Sequence, residues 1–316
     1  RVREALGVGL SQSHLAAGLL GVASDHAARQ LDRGARVVEA VGVRAQPRAV
    51  VTVPVLNMFS RASEDADVVS QARYGMTVGV DKTEDGWARI RTLHDDYPGW
   101  ARLDGLRRLD EGETYAEKGR VAFVDSLRAH LYRTPSVTRH APLLTVPYET
   151  RLEVLEEPEM EDRRWIRVRL PDTREAWIQR GDVLFDPPVL SVAGLVELSR
   201  RFLGLPYTWG GTTSFGFDCS GFTQMLVRRG GVLMPRDARP QAAWEGMQKI
   251  SREELQPGDL LFFGPNEQKI NHTGFYLGNG EFIHSTTNTR PVLQISRVGD
   301  EPWSRLLVAC RRWRRP

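Results

Sequence analysis

The hydrophobic positions of the chain change their period twice. In residues 12–42, leucine, valine and alanine recur at steps of three and four, with Gly34 as an interruption, and this pattern predicts two short helices. From about residue 48, apolar and polar positions alternate in short runs, as is typical of strands. Helical runs return at 192–203 and after residue 219, and strand-like runs follow them. We therefore predict a helical segment at 1–47, a long β-rich region, and a final region that mixes helices with strands.

The β-rich region contains two similar units. The predicted strands are 50–59, 72–74, 77–81, 87–92 and 99–101 in the first unit, and 119–125, 129–133, 151–156, 165–170 and 175–179 in the second. The segments 97–102 and 174–179 end the two units alike, each with a central tryptophan, and we interpret the units as divergent copies of one small β-barrel. The predicted boundaries are 48–112 and 118–187. Pro187-Pro188 marks the linker to a third unit at 190–316.

Composition excludes several classes of protein. The 316 residues are 41% hydrophobic and 26% charged, with a formal net charge of +3, as in an ordinary globular protein. Basic residues are interleaved with acidic ones, so we expect no nucleic-acid partner. No run reaches the roughly 18–20 apolar residues that span a bilayer. The partly apolar run 6–22 lacks a small-residue cleavage site, so we predict no signal peptide. Two cysteines exclude a disulfide framework.

Cys219 lies where a loop is predicted to enter a helix. Helix-forming residues follow it and end at Gly230-Gly231. A thiol at a helix start lies near unpaired backbone N–H groups and the positive end of the helix dipole, and both favour the nucleophilic thiolate. Asp218 and Ser220 add polar groups that an inert core cysteine would not need. The second cysteine, Cys310, lies in an apolar run and is predicted to be a buried strand residue.

Two histidines that follow Cys219 are candidates for its general base. Gly278-Asn279-Gly280 is a turn signal between the apolar runs 272–277 and 281–286, which predicts a β-hairpin with one histidine on each strand. We expect His272 to accept the thiol proton while His284 fixes its tautomer. The other five histidines, including His94, are predicted to lie on the surface.

Tyr207 precedes the cysteine in a segment where the chain must turn. Its hydroxyl and the backbone N–H of Cys219 would together make an oxyanion site. The alternative is that Tyr207 is a core aromatic residue of its loop.

Five motifs follow one another in the third unit. They are Tyr207-Thr208-Trp209-Gly210-Gly211, Asp218-Cys219-Ser220-Gly221-Phe222, Pro257-Gly258-Asp259-Leu260, His272-Thr273-Gly274-Phe275-Tyr276-Leu277-Gly278 and Phe282-Ile283-His284. Together they resemble the NlpC/p60 family of bacterial cell-wall cysteine peptidases, whose fold is papain-like. The resemblance covers roughly 190–316. It implies that Cys219 is the nucleophile, His272 the base and His284 the third polar residue, with Tyr207 at the oxyanion site.

The two β units are similar to bacterial SH3 (SH3b) domains. Two such units ahead of an NlpC/p60 domain resemble the γ-D-glutamyl-L-diamino acid endopeptidases, which process murein peptides. The resemblance implies that the first unit caps the cleft, where Tyr97 and a glutamate hold the free amine of the substrate's L-alanine. It also implies that Asp237, in Pro235-Arg236-Asp237, helps to bind the peptide. Met76 stands where the glutamate is expected, and Ala238 where a serine often follows. We therefore expect selectivity for the free amine to be relaxed by about one or two decades.

The sequence thus predicts two SH3-like barrels followed by a papain-like α+β domain. The predicted activity is that of a cysteine endopeptidase that hydrolyses the γ-D-glutamyl-diamino acid bond of murein stem peptides through an acyl-enzyme, without a cofactor or metal. Tyr97, Asp218, Ser220 and Asp237 would bind the acyl side of the substrate. The alternatives are an endopeptidase on intact wall stems and a non-catalytic wall-binding protein. A metal site at the cysteine and two histidines is disfavoured, because no close ligand pair such as Cys-x-x-Cys occurs.

Overall fold

The computed structural model describes residues 46–157 and 164–314 and builds them into three successive units. The helical segment predicted at 1–47 lies outside the described residues except for its last two positions. Within the described ranges, no helix is long and apolar enough to cross a membrane.

The first unit is a seven-stranded antiparallel sheet. Its strands are β1 (Arg48–Val51), β2 (Val55–Phe59), β3 (Val68–Arg73), β4 (Thr77–Glu84), β5 (Trp87–Thr92), β6 (Pro98–Arg102) and β7 (Leu106–Arg108). They are hydrogen-bonded in the order β3-β2-β6-β5-β4-β1-β7. Alternate side chains of the strands turn inward, and Met58, Val78 and Ile90 are fully buried in one core. We refer to this unit as barrel 1.

The second unit repeats the first strand by strand. Its strands are β8 (Val121–Val124), β9 (Arg128–Tyr132), β10 (Leu144–Pro147), β11 (Arg151–Glu156), β12 (Trp165–Arg169), β13 (Glu175–Gln179) and β14 (Val183–Leu184). Their order, β10-β9-β13-β12-β11-β8-β14, is that of barrel 1. A single 3-10 turn precedes the last strand in both units, at Leu103–Gly105 and Arg180–Asp182. This unit, barrel 2, confirms the predicted duplication.

The third unit packs helices against an antiparallel sheet. Its elements are α1 (Val192–Arg200), β15 (Thr212–Thr213), β16 (Gly216–Phe217), α2 (Cys219–Arg229), α3 (Ala238–Ala243), β17 (Met247–Ile250), β18 (Leu260–Phe263), β19 (His272–Gly278), β20 (Glu281–Thr286), β21 (Val292–Arg297), α4 (Trp303–Leu306) and β22 (Leu307–Trp313). The main sheet has the order β17-β22-β18-β19-β20-β21. Phe222 and Leu226 of α2 are buried against Phe275 of β19 and Ile283 of β20. This arrangement is the predicted α+β fold.

Both barrels contact the third unit directly. The ring of Tyr148, in the turn between β10 and β11, packs edge-to-face on Phe202 with centroids 5.4 Å apart, and it belongs to the core of the third unit. From barrel 1, the main-chain oxygen of Gln71 accepts a hydrogen bond of 3.1 Å from the Thr212 hydroxyl. The chain boundaries assigned to the units from sequence, 48–112, 118–187 and 190–316, stay predictions.

Candidate active site

Cys219 is the first residue of α2, as the sequence predicts. Asp218 caps the helix, because its Oδ1 accepts a hydrogen bond of 2.7 Å from the backbone N–H of Gly221. The thiol is 8% exposed and lies in a helix that is buried over most of its length. The other thiol, Cys310, is buried in β22 and is not bonded to Cys219. The two cysteines therefore occupy the separate positions that the sequence indicated.

The two histidines contact each other across the β19–β20 hairpin. The Nε2 atom of His272 lies 2.7 Å from Nδ1 of His284, which is a hydrogen bond. Gly274 leaves the room for this contact, because a Cβ atom there would lie 3.3 Å from His284 Cβ and 2.6 Å from the Phe282 ring. The predicted hairpin and its histidine pair are thus present.

Ser296 and Trp303 complete the surroundings of the histidines, and neither was predicted from the sequence. The Oγ atom of Ser296 lies 3.0 Å from Nε2 of His284 and fixes the far side of that ring. Trp303 stacks on His272 with ring centroids 5.2 Å apart, and its ring meets His284 edge-on at 4.6 Å. A serine on the neighbouring strand β21 carries no distinguishing spacing, and a single tryptophan before an irregular turn carries none either.

The sulfur of Cys219 lies beside the start of β19. The backbone N–H groups of Thr273 and Ser220 are close enough to the sulfur to lower the pKa of its thiol. Thr273 is the residue after His272, so the helix start and the first residue of the hairpin meet. The nucleophile and the proposed base therefore belong to one site.

Burial shifts the pKa values of the thiol and of both imidazoles in the direction that favours their neutral forms. Burial raises the pKa of the Cys219 thiol to about 12, and the Asp218 carboxylate adds to the rise. The two N–H groups and the guanidinium of Arg236 act in the opposite direction but do not outweigh burial. Burial lowers the pKa of His272 to about 3 and that of His284 well below its ordinary value. The backbone N–H of Ser220 at the helix start thus favours the thiolate, as the sequence predicts, but burial of the sulfur has the larger and opposite effect on the pKa.

Tyr207 lies close to the thiol. It forms an isolated β-bridge with Phe217, which lies just before α2. Burial, with Cys219 and Asp218 as neighbours, raises the pKa of Tyr207, so its hydroxyl remains a proton donor. This placement fits the oxyanion role, which stays a prediction.

Asp218 and Ser220 both contact the buried side chain of Arg236. Arg236 donates to Oδ1 of Asp218 at 3.0 Å and to Oδ2 at 2.5 Å, and it also donates to Oγ of Ser220 at 2.8 Å. The guanidinium is 2% exposed. Both carboxylate oxygens of Asp218 thus already accept hydrogen bonds from Arg236, and Oδ1 also accepts the bond from the Gly221 N–H. The predicted substrate-binding role of Asp218 and Ser220 is untested.

Barrel 1 reaches the same site through Tyr97. The hydroxyl of Tyr97 donates to Oδ2 of Asp237 at 3.1 Å, and Oδ1 lies 3.4 Å away. Burial and the Asp237 carboxylate raise the pKa of Tyr97 well above its ordinary value, so the phenol stays protonated. The structure therefore brings the two predicted binding residues together.

The two positions that depart from the expected pattern carry apolar side chains. Met76 packs against the apolar core of barrel 1. Ala238 is the first residue of α3 and is 7% exposed. Neither supplies a polar group beside Asp237.

Gln241 is a further polar residue that the sequence did not indicate. Its amide nitrogen donates to the main-chain oxygens of Ser220 and Pro235, both at 3.0 Å. The hydroxyl of Thr223 donates to its amide oxygen at 3.1 Å. This fully buried glutamine joins the first turns of α2 to the segment that carries Asp237.

His94 is half-buried, in contrast to the prediction of a surface position. Its side chain is 23% exposed, and burial lowers its pKa to about 4. A polar sequence context suggested the surface, but the turn that carries His94 packs against the third unit.

Comparisons with known proteins assign each of the three units. The NlpC/P60 family model matches residues 204–312. A model described as bacterial dipeptidyl-peptidase Sh3 domain matches 58–106, and one described as YKFC SH3b2 domain matches 124–185. A γ-D-glutamyl-L-lysine dipeptidyl-peptidase of Bacillus cereus is 35% identical over 240 residues, which cover 71% of this chain and 68% of that protein. The chain belongs to the NlpC/P60 family.

Two further relatives support this assignment to the family of cysteine peptidases. A γ-D-glutamyl-L-lysine dipeptidyl-peptidase of Bacillus subtilis is 40% identical over 121 residues, covering 37% of this chain and 40% of that protein. The crystal structure of an NlpC/P60 family protein from Bacillus cereus superimposes with a TM-score of 0.73 at 27% identity, covering 84% of this chain and 99% of that one. The three-unit architecture is thus found in a solved family member.

Proposed function

We propose that this protein is a cysteine endopeptidase that cleaves the bond between γ-D-glutamate and the diamino acid of murein stem peptides. The observation that carries the proposal is the meeting of Cys219 at a helix start with the paired His272 and His284. Relatives named as γ-D-glutamyl-L-lysine dipeptidyl-peptidases and a γ-DL-glutamyl hydrolase support this bond type.

The histidine pair orients the base by hydrogen bonding. Because Nε2 of His272 bonds to His284, Nδ1 is the ring nitrogen that remains for the thiol. A consistent set of tautomers has His272 donating from Nε2 to His284, and His284 donating from its own Nε2 to Ser296. In this arrangement Nδ1 of His272 holds the lone pair that a general base needs.

Attack and proton transfer are coupled, because both partners are neutral at rest. As the Cys219 sulfur forms its bond to the γ-carbonyl carbon, its proton passes to His272. The backbone N–H of Cys219 and the hydroxyl of Tyr207 hold the developing oxyanion. The carbon–nitrogen bond then breaks, and the imidazolium gives its proton to the leaving amine. Water, deprotonated by His272, hydrolyses the thioester and regenerates the thiol.

Substrate selection takes place at the other end of the cleft. The carboxylate of Asp237, held by Tyr97 of barrel 1, offers a negative charge to the free amine of a short peptide. Because Met76 and Ala238 add no polar group there, we expect the preference for a free N-terminus to be moderate rather than strict.

A tripeptide assay tests the reaction. L-Ala-γ-D-Glu-diaminopimelate or its lysine analogue is incubated with the protein, and we expect mass spectrometry to show L-Ala-γ-D-Glu. Cys219→Ala should give no product, and Cys310→Ala, which removes the other buried thiol, should leave the rate within about twofold. Absence of product, or product that survives Cys219→Ala, contradicts the proposal.

The N-acetylated tripeptide separates the two kinds of endopeptidase. Faster cleavage of the free peptide supports an enzyme for released peptides. Equal cleavage of blocked or glycan-linked peptides supports an enzyme for intact wall. Sacculus binding without cleavage of any peptide would point to a non-catalytic wall-binding protein.

A further inference from the structure

Glu149 joins all three units of the molecule. It lies in the turn between β10 and β11 of barrel 2 and is 4% exposed. Its carboxylate accepts hydrogen bonds from Nε of Arg228 at 3.2 Å and from Nη2 at 2.5 Å. Arg228 belongs to α2 of the third unit. Arg73, the last residue of β3 in barrel 1, donates from Nε to the main-chain oxygen of Glu149 at 3.1 Å, and its Nη1 lies 3.8 Å from the carboxylate. One buried anion therefore lies between two cations from different units.

The backbone at this turn does not by itself call for a glutamate. Glu149 has a φ of +65°, a left-handed conformation that is uncommon for residues other than glycine. The equivalent residue of barrel 1 is Gly75, with a φ of +75°. The turns are otherwise alike, because the N–H of Gly75 bonds to Val51 O and that of Glu149 to Val124 O, both at 2.9 Å. What distinguishes position 149 is the side chain and its partners.

Each of the two arginines belongs to an element that also contacts the candidate active site. Arg228 lies in the last turn of the helix that begins with Cys219, about 14 Å along its axis. Arg73 ends strand β3, whose Ser70 accepts a hydrogen bond of 3.1 Å from Arg236. Glu149 thus connects barrel 1 to α2, through its main-chain oxygen and carboxylate on the side of Arg73 and through its carboxylate on the side of Arg228.

A second contact links α2 to barrel 1. The amide of Gln224 in α2 donates to Oδ2 of Asp95 at 2.8 Å. Asp95 lies two residues before Tyr97, the residue that bonds to Asp237. The position of Tyr97 over the cleft therefore depends on how barrel 1 is held against α2.

We propose that Glu149 is a positioning residue that holds barrel 1 over the cleft and thereby sets the preference for peptides with a free N-terminus. The inference rests on the proposed function. Cys219, His272 and His284 all lie in the third unit, so a change in the placement of barrel 1 leaves their geometry intact. Tyr97 lies in barrel 1, so the same change separates it from Asp237. Loss of Glu149 therefore affects selection of the peptide rather than the chemical step.

Glu149→Gln tests the inference, because it keeps the side-chain shape and removes the charge. Arg73 and Arg228 then repel each other across the junction with no carboxylate between them. For the free tripeptide we expect KM to rise about tenfold with kcat within about twofold. For the N-acetylated tripeptide we expect kcat/KM to change by less than about twofold, so the ratio of the two specificity constants falls about tenfold.

Glu175→Gln is the matched control. Glu175 lies in the same barrel and pairs with Arg167, but its side chain is 46% exposed and its contacts stay within barrel 2. We expect this variant to keep the wild-type ratio.

If Glu149→Gln does not fold, Arg73→Gln decides, because it breaks the link to barrel 1 and leaves Glu149 paired with Arg228. The inference is overturned if the folded variant keeps the wild-type ratio, if both peptides lose activity equally, or if the wild-type enzyme cleaves both peptides equally well. Failure of the proposed function is distinguishable, since the wild-type protein would then cleave neither peptide.

Discussion

The two barrels share one strand order but present different turns to the third unit. Barrel 1 uses the turn between β5 and β6, which carries Asp95 and Tyr97 to the nucleophile helix and the cleft. In barrel 2 the equivalent turn faces barrel 1 instead, where the main-chain oxygen of Pro171 accepts a hydrogen bond from Arg107. Barrel 2 reaches the third unit with the turn that carries Tyr148 and Glu149. The equivalent turn of barrel 1 faces barrel 2, because Gly75 lies against the main-chain oxygen of Arg151.

The turns between equivalent strands account for part of this difference, beside the contacts that β3 of barrel 1 makes with the third unit. The N–H of Thr92 bonds to the main-chain oxygen of Tyr97 at 3.1 Å, and the N–H of Leu170 bonds to that of Arg174 at 2.7 Å, so the two turns close in the same way. The first turn is one residue longer, and its last position holds a buried tyrosine where barrel 2 has an exposed arginine paired with Asp172. A duplicated barrel has thus kept its core and acquired two roles through its turns. We expect barrel 1 to contact the substrate and barrel 2 to hold barrel 1 in place.

The largest expected effect comes from the third unit alone. His272→Ala removes the proposed base, and we expect kcat to fall by about 10³-fold. The free and N-acetylated tripeptides should lose rate equally, because neither barrel takes part in the proton transfer. If only one of the two peptides lost rate, the assignment of proton transfer to the third unit and of peptide selection to barrel 1 would be wrong.

Gly75→Ala should weaken the contact between the barrels. The new Cβ would lie 2.9 Å from the main-chain oxygen of Arg151 at a φ of +75°, and we expect a loss of roughly 2–3 kcal/mol in the free energy of unfolding. Gly86→Ala is the control, because Gly86 has a φ of +79° and nothing within 4 Å of a Cβ. Urea unfolding of both variants isolates the contribution of the contact, and equal losses would contradict it.

Acid should destabilise the third unit through its buried imidazoles. The unfolded chain binds a proton at His272 below about pH 6.5, whereas burial lowers the folded pKa to about 3, so stability falls as the pH drops through this window. The slope is on the order of 1 kcal/mol per pH unit, or about 2 kcal/mol between pH 6 and 4. Hydrogen exchange of the β19 amides should detect this loss of stability at low pH.

His272→Gln supplies the control for the acid experiment. It removes the titrating ring, so its β19 protection should depend less on pH than that of the wild-type protein. Equal slopes for the two proteins would show that the acid sensitivity has another origin. His94, whose pKa burial also lowers, is present in both proteins, so the difference between their slopes isolates the contribution of His272.

The smallest expected effect comes from substitutions at equivalent positions of the β5–β6 turn and the β12–β13 turn. Tyr97→Phe removes the hydroxyl that holds Asp237, and we expect KM for the free tripeptide to rise about fivefold, as for one lost hydrogen bond. Arg174→Ala, at the matching position of barrel 2, should leave KM unchanged. Steady-state kinetics of the two variants test whether the shared turn has diverged as we describe.

The sequence predicted strands best where their pattern was strong. The predictions 87–92, 151–156 and 175–179 match β5, β11 and β13 to the residue. It missed β7, β10 and β14, because β7 and β14 are very short and β10 ends in a proline and a tight turn. It also predicted β1 and β2 as one strand at 50–59, whereas they are separate strands in the structure. Short edge strands owe their existence to neighbouring strands more than to their own side chains.

The candidate site was predictable where residues lie close in sequence or share a motif. Cys219 and the hairpin histidines emerged from a helix start and a turn signal, and the structure brings them together. Glu149 and Gln241 did not emerge, because their partners are distant in sequence and belong to other elements. The effect of burial on the thiol pKa did not emerge either, since a helix start is visible in sequence whereas burial of the sulfur is a property of the assembled fold.

Burial of the sulfur and the neighbouring Asp218 carboxylate raise the pKa of Cys219 and favour the neutral thiol before the substrate arrives. Peroxides and alkylating agents attack the thiolate, so the same burial that delays proton loss also shields the sulfur from oxidation to sulfenic acid. We therefore expect Cys219 of the resting protein to react more slowly with peroxides and alkylating agents than a solvent-exposed cysteine does.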